Sequence, residues 1–176
     1  MNLMNSTSSC LNEWNAIVEA FGQRKEVILI RRYKTKKDGF LLYPTVNYAH
    51  QKNFIEVFKD NEKDFVYENL YPKKLDEKSE VKYYAKVDSI IQKPTDTIEK
   101  YEKYHIWTSE HIKDYVHNET SYIWLLRVYE LQEPLMLKRG GGRIYSKAEK
   151  EVSLENMTPI FSDIEFNKIK EDILNI

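Results

Sequence analysis

A run of basic side chains near the start of the chain is the densest group of residues that could bind a ligand. Residues 24–37 hold seven Lys or Arg residues and a single acid. Arg31, Arg32 and Lys34 directly follow the apolar residues 27–30, which predict a buried strand. A rigid strand that ends in a basic loop favours phosphate binding. The alternative, a solvated hairpin tip, remains open.

Two histidines could do acid–base chemistry. His105 and His111 flank Trp107, and an imidazole can act as a general acid or base or as a metal ligand. Their spacing matches neither H-x-x-x-H nor H-E-x-x-H, so we expect no metal site and no cofactor. Hydrogen-bonded structural histidines are the alternative to a catalytic role.

Aromatic and polar residues at the ends of predicted elements could read a base. Tyr43 and Trp107 stand where a stacking platform could form, and His50 follows the strand that Pro44 ends. Arg127 shares one face of a predicted strand with apolar residues, so it needs a partner. That partner is either an internal carboxylate or a bound phosphate or base edge.

Composition narrows the class of protein. Hydrophobic residues make up 41% of the 176, which permits a sizeable core, and the net charge of −1 does not by itself indicate a nucleic-acid binder. The one cysteine, Cys10, excludes an internal disulfide and favours a reducing, cytoplasmic location. No run of residues is apolar enough to span a membrane. We expect a flexible tail over residues 1–10 and a single α+β domain over residues 11–176.

Hydrophobic periodicity predicts an alternation of helices and strands. Helices are expected at residues 11–21, 48–58, 95–104, 109–116 and 163–174, the last opened by a capping box at Ser162. Strands are expected at residues 27–30, 40–43, 81–91 and 123–131, the last ended by Pro134, with a charged surface loop over residues 59–80. This order predicts a mixed or antiparallel sheet curved into a small β-barrel with flanking helices.

Several blocks together resemble domain-of-unknown-function family 1802, a prokaryotic family of about this length. They are L-N-E-W at 11–14, V-I-L-I-R at 27–31, F-L-L-Y-P-T at 40–45 with H-Q at 50–51, H-I-W-T at 105–108 and L-L-R-V-Y at 125–129. The chain departs from the family at Arg32-Tyr33, where a Gly-Gly is usual, and at 144–146, where the family has a Cys-Ser-Trp-like block. The opening layout is also similar to ASCH domains of the PUA-like superfamily, a resemblance that implies a PUA/ASCH-like barrel and binding of RNA or modified bases.

These observations lead to a binding module for nucleic acid, RNA or DNA, or for a modified base. The predicted phosphate ligands are Arg31, Arg32 and Lys34, and the predicted base contacts are Tyr43, His50, Trp107 and Arg127.

Two other functions stay open at this stage. One is a small metal-independent nuclease or amidohydrolase, in which His105 or His111 is the base and Arg31 or Arg127 stabilises the developing anion. The other is a non-catalytic accessory subunit that buries its aromatic surface against a protein partner. Convergence of histidine and arginine on one pocket favours the enzyme, and an open basic groove favours binding.

Overall fold

A computed structural model describes residues 5–176, which form one mixed β-sheet with four α-helices around it. The eight strands are β1 (Ser6–Trp14), β2 (Ile28–Arg31), β3 (Gly39–Thr45), β4 (Lys74–Leu75), β5 (Lys78–Pro94), β6 (Thr120–Leu137), β7 (Tyr145–Ser153) and β8 (Thr158–Pro159). The α-helices are α1 (Asn15–Gly22), α2 (Lys63–Glu68), α3 (Ser109–Val116) and α4 (Asp163–Leu174), and a 3-10 helix covers Thr95–Tyr104.

The sheet has the order β2-β6-β5-β3-β1-β7, with β4 beside β5 and β8 beside β6. All neighbours are antiparallel except β1 and β3, which run parallel and are joined by a long connection that contains α1 and β2. Register shifts in the β5–β6 pair, at 81–83 and 87–89, bend the two long strands. The predicted α+β class with a curved mixed sheet is confirmed.

The sheet is curved and is not a closed barrel. In the part of the chain that the structure describes, the hydrogen-bonded ladder ends at β2 on one side and at β7 on the other. A single bridge, between Arg139 and Ala148, links the residues after β6 to β7. The two faces pack two cores: α1, α3 and the 3-10 helix cover the larger one, and β1, β3, β5, β6 and β7 enclose the smaller one around Leu41 and Leu137.

The start of the chain was predicted wrongly. Ser6–Trp14 is a strand between β3 and β7, and Cys10 is fully buried opposite Leu41, so residues 6–10 are not a flexible tail. Residues 1–4 of the predicted tail lie outside the described residues. The helix predicted at residues 11–21 begins only at Asn15. Leu11 and Trp14 have helical spacing relative to the apolar residues of α1, but they belong to β1, whose partner strands β3 and β7 are distant in sequence.

Several other elements differ from prediction. Residues 48–58 form two short 3-10 turns, and residues 59–80 contain α2 and β4. Strand β6 continues past Pro134, because residues 131–134 pair with no residue of β5 and a proline there removes no ladder hydrogen bond. Strand β3 likewise continues past Pro44 to Thr45, and β7 and β8 were not predicted. The remaining predicted helices and strands are confirmed in position, including the capping box in which Ser162 accepts from the Glu165 N–H. No described helix is long and apolar enough to cross a membrane.

Candidate functional site

A cleft of about 430 Å³ opens where β1, β2 and α3 meet the turn between β6 and β7. Its aromatic and imidazole walls are Trp14, Tyr33, Trp107, His111 and Tyr115. Its other polar lining residues are Asn12, Glu13, Arg31, Thr45, Asn47, Arg139 and Arg143. The cleft therefore combines flat rings, hydrogen-bonding side chains and cations in one space.

An ion pair between Glu13 and Arg31 lies in the wall of the cleft. The side chains are 7% and 12% exposed, and Arg31 Nη2 donates to Glu13 Oε2. The other carboxylate oxygen accepts from the Trp14 N–H at 3.0 Å. Burial acts to lower the pKa of Arg31, but Glu13, Tyr115 and Tyr33 together act more strongly in the other direction, and the pKa is raised. The positive charge of Arg31 is therefore offset inside the protein.

Aromatic rings surround this pair. Trp14 stacks on Tyr48 with ring centroids 4.8 Å apart and an interplanar angle of 13°. The His111 ring also lines the cleft, and its centroid lies 6.2 Å from that of the Trp14 ring. The Arg31 guanidinium sits 5.7 Å from the Tyr115 ring and 6.0 Å from the Trp107 ring, so the cation and the rings stabilise one another.

Helix α3 supplies two of the rings. Thr108 caps it by accepting from the His111 N–H at 3.1 Å. His111 and Tyr115 are four residues apart and therefore lie on one helix face. Burial lowers the pKa of His111; Arg31 adds to this and Asp114 opposes it. His111 is therefore a neutral imidazole at pH 7.

The segment before α3 is held by a buried carboxylate. Glu26 is 1% exposed and accepts from the Ile106 N–H at 3.0 Å, next to Trp107. Its second oxygen has no hydrogen-bond partner among residues 5–176, and burial raises its pKa well above the usual range. The Phe58–Trp107 bridge completes the attachment, so Trp107 enters the cleft from a fixed backbone. Trp107 Nε1 is itself buried without an acceptor in the described part of the chain.

The two candidate catalytic histidines are separated by the fold. His111 lines the cleft, whereas His105 is 2% exposed and is not among the cleft residues. Burial and the nearby Lys59 ammonium lower the pKa of His105 to about 3, and neither ring nitrogen has a partner within residues 5–176. His105 is an interior residue, so a reactant in the cleft does not reach it.

The other predicted ligands are dispersed. Tyr43 is buried, donates to the Leu137 carbonyl at 2.9 Å and lies away from Trp107, in the smaller core. His50 is exposed and lines none of the described cavities. The Phe40–Gln51 segment borders the cleft through Thr45 and Asn47 instead.

The remaining basic residues take different positions. Arg32 is exposed beside the cleft, 5.8 Å from the Tyr115 ring, and Lys34 lies 5.6 Å from the Tyr122 ring. The two therefore extend outwards from the cleft edge and do not line its interior.

Arg127 has an internal partner. Its side chain is 12% exposed, as predicted, and Nη2 donates to Asp163 at 2.9 Å and to the Phe161 carbonyl at 2.8 Å. Its guanidinium also lies 4.7 Å from the Phe166 ring. Arg127 holds α4 against the sheet and does not line the cleft. Of the two partners expected from the sequence, the structure therefore supports the internal carboxylate and not a bound ligand.

Most residues of the cleft were not predicted as ligands, and four of them carry the argument below: Glu13, Trp14, Arg139 and Arg143. Glu13 and Trp14 were assigned to a core-facing helix, and Arg139 and Arg143 flank a glycine run that lacks the strand and helix of a dinucleotide-binding loop. The β1–β7 pairing brings the Arg-Gly-Gly-Gly-Arg turn beside β1, where the Asn12 amide donates to the Gly142 carbonyl at 3.1 Å. The feature of the sequence that could have indicated Arg139 and Arg143 as ligands is their position on either side of three glycines. No cluster of three or more metal-ligating side chains occurs within residues 5–176.

The comparisons place the chain in a family. Solved structures similar to it include ASCH from Zymomonas mobilis, at 11% identity and a TM-score of 0.45, covering 96% of this chain and 94% of that one. A serine-to-alanine mutant of the same protein is similar at 12% identity and a TM-score of 0.45, covering 93% of this chain and 94% of that chain. No curated protein matches. The family model "Domain of unknown function (DUF1802)" matches residues 10–172, and the chain therefore belongs to that family.

Proposed function

We propose that this protein is a nucleic-acid-binding module that takes one base of a single strand into the cleft. The observation that carries the proposal is the convergence of flat aromatic walls with two arginines, Arg139 and Arg143, that form no ion pair with a carboxylate in the described part of the chain. Rings suit a base, and unpaired guanidinium groups suit a phosphate.

The size and lining of the cleft fit a base. A volume of about 430 Å³ lies within the usual range of small-ligand sites. Stacking on an aromatic side chain contributes about 1–3 kcal/mol per base. Asn12, Thr45 and Asn47 offer both donors and acceptors, which the edge of a base requires.

The charge of the cleft favours an anion. Three arginines and one glutamate line it, and the glutamate is already bound to Arg31. That leaves two positive charges, on Arg139 and Arg143, at the side formed by the glycine turn. Exposed Arg32 adds a third cation outside the opposite wall, near Tyr115. A net charge of −1 for the whole chain therefore coexists with a locally positive site.

Equilibrium binding of dye-labelled eight-nucleotide single strands, RNA and DNA in parallel, tests the proposal. We expect salt-dependent binding of at least one of them, and weaker binding by Arg143→Ala. The slope of log K against log salt should become shallower by about 0.7 for each phosphate that the variant no longer binds. Lys168→Ala is the matched control, because Lys168 is exposed on α4 away from the cleft. Absence of binding to both strands, or equal effects of the two variants, contradicts the proposal.

One observation favours a second function, a metal-independent hydrolase. His111 and Arg31 line the same cleft, and the lowered pKa of His111 leaves its imidazole free to accept a proton. His105 and Arg127, the other residues considered for this chemistry, do not line it. Cleavage of the labelled strand by the wild type, with loss of cleavage and retention of binding in His111→Asn, would support this function. Binding without cleavage leaves the protein a binding module.

A further inference from the structure

A second cavity, also of about 430 Å³, lies directly beyond the cleft. It is formed by the end of β3, the β4–β5 turn and the glycine turn after β6. The two cavities share Thr45, Asn47 and Arg139 in their linings. The two cavities are therefore adjacent, and a ligand that extends from the cleft past Arg139 reaches the second cavity.

We propose that this second cavity binds the phosphodiester that joins the base in the cleft to its neighbour. The ligand is then a single strand of at least two nucleotides, and a free base or nucleoside, which carries no phosphate, fills only half of the site. This inference rests on the proposed function and adds a second binding site to it, with the sugar–phosphate backbone as its ligand.

Arg139 is positioned to serve both cavities. Its Nη1 donates to the carbonyl groups of Gly140 at 3.3 Å and Gly142 at 3.1 Å, and its guanidinium lies 5.5 Å from the Tyr43 ring. These contacts hold the charge at the junction, and Nε and Nη2 make no hydrogen bond within residues 5–176. A guanidinium fixed in this way loses little side-chain entropy when it binds a phosphate.

The rest of the second cavity is also basic. Lys74 and Lys138 line it together with one acid, Glu77. Glu77 is bound to Lys138 at 2.7 Å, and both side chains are more than half exposed. Lys74 forms no ion pair with a carboxylate in the described chain. The cavity therefore holds a net positive charge in position for a phosphate.

The glycine turn leaves bare backbone along this cavity. A Cβ on Gly141 would meet no atom within 4 Å, and one on Gly140 would lie 3.8 Å from the Lys147 carbonyl oxygen, an ordinary contact. Gly142 differs, because its φ is +146° and a Cβ would lie 1.9 Å from the Tyr145 carbonyl oxygen. The fold thus requires glycine only at 142, whereas Gly140 and Gly141 open the cavity to close approach by a ligand backbone.

The test compares a nucleoside, which carries no phosphate, with a trinucleotide of the same base, titrated while the tryptophan indole N–H signals are followed by NMR. The variant is Gly141→Leu, which adds a bulky side chain at a residue that lines the second cavity and not the cleft. The control is Asn167→Leu, a bulky substitution at an exposed position of α4. Thermal melting of both variants should match the wild type, since the structure leaves room for each side chain.

We expect the wild type to bind the trinucleotide at least about tenfold more tightly than the nucleoside. Gly141→Leu should reduce this difference and leave the nucleoside affinity unchanged. Equal affinity for the two ligands, or a trinucleotide affinity that Gly141→Leu does not alter, overturns the second site while the base cleft stands. Failure of both ligands to shift the Trp14 and Trp107 signals overturns the base cleft and the second site together.

Discussion

Replacing Glu13 with glutamine should destabilise the protein more than most single substitutions. The glutamine keeps the size of the side chain and an oxygen that accepts the Trp14 N–H, so packing is retained. It removes the negative charge that faces Arg31, whose side chain is only 12% exposed. The guanidinium then remains buried without a counter-charge.

The magnitude follows from the burial of the pair. Removing one partner of a buried ion pair costs about 3–5 kcal/mol, whereas an exposed pair contributes about 1 kcal/mol or less. Glu77→Gln is the matched control, because Glu77 and Lys138 are 76% and 55% exposed. For a chain of this size about 1 kcal/mol lowers the melting temperature by roughly 2–4 °C, so Glu13→Gln should lower it by roughly 6–20 °C.

Urea unfolding followed by circular dichroism measures the change in the free energy of unfolding. The double variant Glu13→Gln with Arg31→Met should recover much of the stability, because a buried pair replaced by uncharged groups of similar volume is often neutral. A Glu13→Gln protein within about 1 kcal/mol of the wild type, or equal to Glu77→Gln, would refute the reasoning that this pair is desolvated.

Three further predictions concern the largely buried side chains of Glu26, His105 and Arg127. The raised pKa of Glu26 means that its contribution to stability is full below about pH 4.5 and is lost as pH rises through the folded pKa, by up to about 1.4 kcal/mol per pH unit. Unfolding measured against pH should therefore show that slope in the wild type and not in Glu26→Gln; equal slopes contradict it. His105, with its pKa lowered to about 3, stabilises the fold above about pH 6.5 and loses this contribution as pH falls towards 3. His105→Asn should flatten that acid limb of the same pH series, and an unchanged limb would show that His105 can ionise in the folded protein. Arg127→Lys should lower stability by about 1–3 kcal/mol and leave oligonucleotide affinity unchanged, while Asp163→Asn, which alters an 87% exposed partner, should cost less than about 1 kcal/mol. Weaker binding in Arg127→Lys, with the fold intact, would return Arg127 to the ligand site.

Local patterns predicted much of the fold. The alternation in β5, the apolar run of β2, the Thr108 cap of α3 and the Ser162 capping box all encode their structure within a few residues. The errors arose where the structure of a segment depends on pairing with strands that are distant in sequence. Strand β1 has helical spacing in its sequence and is a strand only because residues 41–45 and 145–153 pair with it.

The candidate site was predicted only in part, because strand pairing between residues distant in sequence also brings some of its residues together. Arg31, Trp107 and His111 were singled out and do meet in one cleft. Glu13, Arg139 and Arg143 reach it through β1 and its pairing with β7, which no local pattern shows. Arg127 was correctly predicted to be withdrawn from water, but its acceptor, Asp163, is 36 residues away and could not be distinguished from a ligand.

The indole N–H signals of the three tryptophans test the central claim most directly. Trp14 and Trp107 line the cleft, whereas Trp124 is fully buried and donates to the Tyr33 carbonyl at 3.0 Å. Each signal can be assigned from a Trp→Phe variant and followed while an eight-nucleotide single strand is added. The account predicts that the Trp14 and Trp107 signals shift in step with binding and that the Trp124 signal changes least. Binding that leaves the Trp14 and Trp107 signals in place would contradict it.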